Sequence, residues 1–366
     1  MKLAIAARAL SLPFGGVRTF LEQTLPALMQ QAGEHSVTVY YDDDRHLGLV
    51  PGAREVVLRA PHKALWDHVV LPVRLRADTP DVVWYPQNVV SLGVQIPTVV
   101  TIHDMLYFSL PAVAWREYAW PDTFYARVMI PRSVAAARVV ACDSAWTARD
   151  VQRVTGAAPR KLRVVHLGTP SDMQPASSAE VDLVCAELGI SKPYLLYCGT
   201  NSPRKNLRVL LAGFARVQDQ IPHTLLIVGG SGYREVLLDD LLAPLAGRVL
   251  RLPLVSRSEL AALYSGATAF VFPSRYEGFG IPPLEAMACG CPVVCSAATS
   301  LPEVVADAAL TFHPDDPATL ARHLVALAHD PDLRTDLGVR GRARAAELNV
   351  ARTAAAMWQI FGEVCL

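Results

Sequence analysis

Three stretches of this sequence combine residue types suited to holding anions and hydroxyls. The densest runs Pro273-Ser274-Arg275-Tyr276-Glu277-Gly278-Phe279-Gly280-Ile281-Pro282-Pro283-Leu284-Glu285. Gly278 and Gly280 offer backbone N–H groups with no side chain in the way. The two prolines mark the start of a helix, where proline is tolerated. Glu285 is expected in the first helical turn, where the dipole keeps it ionised and ready to accept hydrogen bonds from a diol. Glu277 is expected in the loop, free to reach a polyhydroxy substrate. As stabilising charges alone, the two acids would leave the glycines and the aromatic between them unexplained.

The second stretch is Gly199-Thr200-Asn201-Ser202-Pro203-Arg204-Lys205-Asn206, after an apolar run of strand length and before a helical one. Adjacent cations oppose the dipole at a helix N-terminus, so helix stability does not account for Arg204 and Lys205, whereas a nearby anion does. Arg204 can fork onto phosphate oxygens and Lys205 can act as a point charge. Together they suit a diphosphate that gains negative charge as a bond to it breaks. A solvated loop is the alternative. The third stretch, Pro13-Phe14-Gly15-Gly16-Val17, precedes the helical run Thr19 to Met29 and reads either as a phosphate turn or as an ordinary strand-to-helix turn. It is neither G-x-G-x-x-G nor a Walker loop, which weakens dinucleotide and ATPase readings.

Single residues at strand ends add to these. His103, followed by Asp104, ends an apolar strand and reads as a substrate contact or as a satisfied structural histidine. Ser144, after Cys142-Asp143, is either a substrate contact or the N-cap of a helix from Ala145. His166 has a similar and weaker position. Asp42-Asp43-Asp44 contains the D-x-D spacing of a metal site, but an acidic solvated turn before Arg45-His46 explains it more simply. The seven cysteines include no C-x-x-C pair, so neither a disulfide framework nor a zinc site is indicated, and a reducing compartment fits. Cys289, Cys291 and Cys295 read as small apolar residues closing a helix and starting a strand.

Apolar runs of strand length alternate with segments of helical period almost throughout, the pattern of parallel sheets covered by helices. The first half predicts strands at 3–8, 37–41, 81–85, 98–102, 138–142 and 163–166. A stretch rich in Pro, Ser and Ala at 170–178 marks a boundary. Strands are then expected at 194–198, 225–228, 249–252, 269–272, 293–295 and 309–312, and a last helix over 351–361. With 366 residues, more than one core normally holds, two domains are expected. In open parallel sheets ligands bind beyond the carboxyl ends of the strands, and two such sheets facing each other would make a cleft there.

Apolar residues make up 52% of the chain, yet charged residues, proline or glycine break every run short of a membrane span. The opening Met1 to Ala7 imitates a signal peptide, but Arg8 interrupts it and no cleavage site follows, so it reads as a first strand. Formal charge sums to zero, which argues against a nucleic-acid protein. Residues 1–170 carry a small excess of Lys and Arg that suits an acidic lipid surface, a phosphate-bearing acceptor or simply solvated surface.

The stretch Glu277 to Glu285 resembles the E-x7-E signature of the retaining family-four glycosyltransferases. Tyr197-Cys198-Gly199-Thr200 through Arg204-Lys205-Asn206-Leu207, Cys289-Gly290-Cys291-Pro292-Val293-Val294 and Leu301-Pro302-Glu303-Val304 are similar to that family's second domain in order and spacing. The first half is similar more loosely, through Gly15-Gly16 and Thr101-Ile102-His103-Asp104-Met105. The resemblance implies the α/β GT-B fold, two Rossmann-like doubly wound parallel-sheet domains facing across a cleft. Residues 1–170 would bind acceptor and 171–350 the nucleotide sugar, with a C-terminal helix over 351–366 placed to pack back on the N-terminal domain.

Carried over position by position, the resemblance implies that Arg204 and Lys205 hold the donor diphosphate, beside Gly199, Thr200 and the backbone of Gly15 and Gly16. Glu285 would hold ribose, and Glu277, Gly278, Phe279 and Gly280 the transferred sugar. His103 would lie beside that sugar, forming the catalytic set with Arg204, Lys205 and Glu277, while Asp104 and Ser144 are further substrate contacts. Some relatives have arginine where Thr200 stands, so here Arg204 and Lys205 must neutralise the phosphates alone. The implied activity is metal-independent, cofactor-free transfer of a hexose with retention, from a nucleoside-diphosphate sugar to a saccharide or lipid-linked acceptor. Similarity of Arg204-Lys205-Asn206-Leu207 to mannosyl- and rhamnosyl-type enzymes favours GDP-mannose, with UDP- and dTDP-sugars next. The segments around 61–73 and 111–122, read as loops, would shape the acceptor site, with Trp66, Trp115, Tyr118 and Trp120 stacking on sugar, meeting lipid or filling core. A cytoplasmic location at the inner face of the membrane, compatible with peripheral association and part of polysaccharide biosynthesis, follows from the same resemblance. The rival readings are a nucleotide-sugar epimerase or hydrolase on this scaffold, and an inactive sugar-nucleotide-binding subunit.

Overall fold

A computed structural model describes residues 1–11, 15–230 and 238–365. The backbone divides into two compact units, one of Met1–Pro111, Trp120–Gly168 and Asn349–Leu366, the other of Ala112–Ala119 and Thr169–Leu348. Among the described residues no helix is long and apolar enough to cross a membrane.

In the first unit β1 (Lys2–Ala6), β2 (Ser36–Tyr41), β3 (Arg54–Val57), β4 (Val82–Tyr85), β5 (Thr98–Ile102), β6 (Val139–Cys142) and β7 (Leu162–Val164) form one parallel sheet. The strand order is β3-β2-β1-β4-β5-β6-β7. Strands β4, β5 and β6 are buried at every position, the mark of strands covered on both faces. The edge strand β3 was not expected. Its sequence Arg-Glu-Val-Val offers two apolar residues, and an edge strand with one neighbour and partly wet faces needs no more. The strand predicted at 163–166 lies earlier, at Leu162–Val164, where Leu162 pairs with Val140.

The second unit repeats the plan with β8 (Tyr194–Cys198), β9 (Thr224–Val228), β10 (Val249–Leu252), β11 (Ala269–Phe272), β12 (Val293–Ser296) and β13 (Leu310–Phe312). All pair in parallel, in the order β10-β9-β8-β11-β12-β13. Its core joins Leu195, Tyr197, Leu210, Phe214, Val271 and Leu324. In each sheet the order reverses once, between β1 and β4 and between β8 and β11. Chains leaving neighbouring strands there run to opposite sides and open a crevice at the strands' carboxyl ends. In the second unit the segments leaving β8 and β11 are the two carrying Arg204-Lys205 and Glu277.

The last helix, Val350–Cys365, runs beyond the 351–361 read from its pattern and belongs to the first unit. Its Met357, Ile360, Phe361 and Val364 are buried at helical spacing. Trp358 Nε1 donates to Leu28 O at 2.9 Å, and the Phe361 ring lies 5.7 Å from that of Trp84.

Candidate active site

Strand β8 ends at Cys198, and after Ser202 the chain makes one tight turn, Pro203–Lys205. Asn206 follows in the left-handed region at φ 56°, and the helix Leu207–Ala215 begins after it. The two cations therefore precede the helix rather than opening it. Asn206 can hold this costly conformation because its Nδ2 donates to Pro273 O at 3.1 Å and Pro314 O at 2.7 Å. These bonds tie the turn to the segment leaving β11.

The cations converge on carboxylates. Lys205 Nζ lies 2.7 Å from Glu277 Oε1 and 4.7 Å from the centre of the Phe272 ring. Arg204 bridges Glu277 Oε2 at 3.0 Å and Glu117 Oε1 at 2.7 Å. Burial pushes the Glu277 carboxyl up, but Lys205 and Arg204 beside it prevail and hold it below the usual carboxylate range. Burial pushes the Lys205 ammonium down, helped by Arg204 and opposed by Glu277. Glu277 is thus not free in its loop, as expected from sequence; it is largely covered and bound by the cations it was to work beside. Buried charge is stable only when paired in this way.

The backbone around Glu277 is fixed by the segment before the short helix Leu301–Val305. Thr299 Oγ1 accepts from Glu277 N at 3.0 Å and donates to Glu277 O at 2.9 Å. Ser300 Oγ donates to Glu277 O and Phe279 O, at 2.9 and 2.8 Å. Phe279 is buried. Gly280 takes φ +117°, where a Cβ would also come within 2.6 Å of Leu301, so only glycine fits before the helix Ile281–Ala288.

Glu285 lies past the first turn of that helix, and its environment differs from the one expected. Burial raises its carboxyl, against the pull of Arg257. Arg257 Nη1 and Nη2 each reach Glu285 Oε1 at 3.2 Å, and Nη2 also reaches Asp172 at 2.9 Å. A guanidinium, not the helix dipole, is what favours charge on Glu285. Tyr197 Oη donates to Thr200 O at 3.0 Å, which holds the chain after Gly199.

In the first unit His103 follows β5. Its Nδ1 lies 2.7 Å from Asp143 Oδ2 and its Nε2 3.1 Å from Pro86 O. Pro86 O can only accept, so Nε2 is the nitrogen that carries a proton in either charge state of the ring, and Nδ1 faces the Asp143 carboxyl. Burial lowers the imidazole's proton affinity, but Asp143 more than restores it. With Nδ1 engaged by Asp143 and Nε2 by Pro86 O, neither ring nitrogen faces a substrate proton as a base. Asp104 Oδ1 accepts from Leu106 N at 3.0 Å, and Ser144 Oγ accepts from Thr147 N at 3.0 Å as the N-cap of Ala145–Thr155. Gly15, at φ +128°, is the N-cap of the helix Gly16–Gln30, whereas Pro13 and Phe14 lie outside the described residues.

The acidic run is spent on neighbours. Asp42 bonds the Ser11 hydroxyl, Asp43 lies 3.0 Å from Arg45 Nε, and Asp44 lies 2.8 Å from Arg59 Nη2. Cys289, Cys291 and Cys295 are buried free thiols. The segments read as loops at 61–73 and 111–122 are mostly helical, including Lys63–Leu65, Trp66–Val70, Leu71–Asp78 and Pro111–Glu117. Their apolar residues pack at helical spacing, which had been masked by proline and charge. Trp66 is buried, while Trp115 and Trp120 are exposed.

Sequence reasoning missed Glu117, Arg257, Asp143, Asp172, Thr299 and Ser300. Asp143 stood at a strand end next to Ser144 and carried the same positional signal. Nothing around Glu117 or Asp172 signals their roles.

Two family profiles match: glycosyl transferases group 1 over residues 186–344 and glycosyltransferase family 4 over residues 14–172. O-antigen chain mannosyltransferase B of Escherichia coli is 34% identical over 261 residues, 69% of this chain and 66% of that protein. The chain belongs to the group 1 glycosyltransferases. Within this family, a D-inositol 3-phosphate glycosyltransferase of Streptomyces bingchenggensis is 30% identical over 292 residues, 74% of this chain and 62% of that protein. The chain thus spans about two thirds of the length of the curated relatives it matches. Sucrose-phosphate synthase of Thermosynechococcus elongatus shares the fold with a TM-score of 0.78 at 22% identity, over 99% of this chain and 98% of that one. HepE of Anabaena, solved with UDP and glucose, does so with a TM-score of 0.76 at 18% identity, over 99% and 100%. The two parallel-sheet units are those of the GT-B fold.

Proposed function

We propose that this chain transfers a mannose-like hexose, with retention of configuration and without a metal ion, from a nucleoside-diphosphate sugar to a hydroxyl of a saccharide or lipid-linked acceptor. The observation that carries this is the buried turn in which Arg204 and Lys205 converge at the β8/β11 switch point. Two cations held this close together attract a doubly anionic group more strongly than any single charge nearby. The mannosyltransferase name of the Escherichia coli relative favours mannose, and the HepE complex with UDP and glucose favours a nucleotide-linked donor.

Arrival of a diphosphate replaces carboxylate oxygens with phosphate oxygens on Lys205 and Arg204, which releases Glu277 to the hydroxyls of the sugar. In the reaction the bond from the anomeric carbon to the diphosphate oxygen breaks as the acceptor oxygen bonds to the same face of that carbon. The acceptor's proton passes to the leaving phosphate, so no protein base is needed, in keeping with a His103 whose two ring nitrogens are engaged by Asp143 and Pro86. Negative charge grows on the diphosphate as the bond breaks, and preorganised cations stabilise it most at that stage. Arg257 and Glu285 form the adjoining diol site. With the Asp42 to Asp44 carboxylates engaged elsewhere, the cations take the place a metal has in other sugar transfers.

The test is incubation with GDP-mannose, UDP-glucose and dTDP-rhamnose, with saccharide acceptors, in EDTA and then in Mn²⁺, with the product anomer read by NMR. An α-linked product from an α-linked donor, formed equally in EDTA, is expected. An inverted product, or activity only with Mn²⁺, refutes the mechanism, and donor consumed equally fast without acceptor points to a hydrolase.

A further inference from the structure

A cavity of about 460 Å³ lies in the second unit; it shares Pro203 with the cationic turn, but neither Arg204 nor Lys205 lines it. Three arginines line it, Arg116, Arg208 and Arg275, against a single carboxylate, Asp315, among the described residues. Asp315 pairs with Arg275, and Arg208 pairs at 2.8 Å with Asp240, which lies outside the lining. Counting both ion pairs, the three guanidiniums exceed the two carboxylates by one positive charge, that of Arg116. The helix Leu207–Ala215 also begins on it, and its N-cap side chain does not cap it, because Asn206 Nδ2 is committed to Pro273 O and Pro314 O. An uncapped helix start adds partial positive charge and N–H donors to the guanidiniums. The other side is apolar, built from Leu207, Val209, Ala212, Leu238 and Leu241.

Neither the diphosphate turn nor the diol site uses these groups. Arginine forks beside an apolar wall match a phosphate ester whose other end is hydrocarbon. We propose that this cavity is a second phosphate site, which takes the phosphate of a lipid-linked substrate and the first part of its chain. As an acceptor site it rests on the transferase function proposed above; as a binding site it does not.

Binding is tested by calorimetry on the full chain with two probes, inorganic phosphate and hexyl phosphate. Wild type and Lys205→Ala should both bind hexyl phosphate, about tenfold or more tighter than inorganic phosphate, since burying several methylenes is worth that much. The double variant Arg116→Gln/Arg208→Gln, altered at exposed positions, should bind it about tenfold or more weakly, by analogy with the loss of charge-assisted bonds. Loss of binding in Lys205→Ala but not in the arginine variant would assign the anion to the donor turn and overturn the proposal. Equal affinity for the two probes would overturn the lipid-linked ligand, and no binding of either would overturn the site. In transfer assays the arginine variant should raise KM for a lipid-phosphate acceptor and leave KM for the unphosphorylated saccharide unchanged; equal effects on both would count against the acceptor role. Failure of wild type to transfer any sugar would instead refute the proposed function and leave the binding result standing.

Discussion

Replacing Lys205 by alanine probes fold and chemistry at once, and the two effects separate. The ammonium lies 2.7 Å from Glu277 and 4.7 Å from the Phe272 ring centre, with little exposure, so truncation removes a buried ion pair and a cation–π contact. Removing one partner of a buried pair costs about 3–5 kcal/mol. Arg204 remains 3.0 Å from the other Glu277 oxygen, which places the loss near the low end, about 3 kcal/mol. In a unit of this size that lowers Tm by about 6–12 °C. Glu277→Gln keeps the shape and removes the charge, so the double variant should recover about 1–3 kcal/mol relative to the sum of the single losses. Turnover follows another rule. Loss of a preorganised cation aimed at the leaving group costs on the order of 10²-fold or more, and neutralising Glu277 restores none of it. Thermal melts and initial rates for wild type, both single variants and the double variant give the comparison. A near-normal rate for Lys205→Ala, or turnover that recovers in step with Tm, would refute the assignment of Lys205 to the leaving diphosphate.

Three further variants address the surroundings of the cationic turn. His103 is held above the ordinary imidazole range, so the stability it contributes is fully present below about pH 6.5 and declines as pH rises through its folded value. Asp143→Asn should lower the His103 midpoint in an NMR titration and flatten that decline, and an unchanged midpoint would mean that Asp143 does not hold the proton. Arg257→Ala leaves Glu285 buried without its cation, which should cost about 3 kcal/mol and weaken nucleoside-diphosphate binding; equal affinity in calorimetry would remove Arg257 from the diol site. Thr299→Val deletes two hydrogen bonds to the Glu277 backbone, worth about 1–3 kcal/mol together, and should raise donor KM more than it changes acceptor KM; no change in donor KM would contradict a positioning role.

The sheets were legible because buried parallel strands leave long apolar runs. Thr98–Ile102, Tyr194–Cys198 and Ala269–Phe272 lie where those runs stand. Strand Arg54–Val57 was not legible, since an edge strand needs few apolar residues. Arg204 and Lys205 stood out because local helix physics could not explain them, and Glu277 because glycines flank it. Their mutual pairing was hidden, because charges distant in sequence choose partners through strand order, here the adjacency of β8 and β11. Glu117, which comes from still farther along the chain, gives no local sign at all. Glu285 shows the converse error: its place on a helix was foreseen, but burial overrode the dipole.

The turn at Arg204 and Lys205 is expected to receive a pyrophosphate group, and a crystal soaked with GDP, UDP or dTDP tests this most directly. The expected map shows phosphate oxygens about 3 Å from Lys205 Nζ and the Arg204 guanidinium, with the Glu277 carboxylate moved away from both. A nucleotide bound elsewhere while Glu277 stays on Lys205, or no nucleotide bound at all, would contradict it.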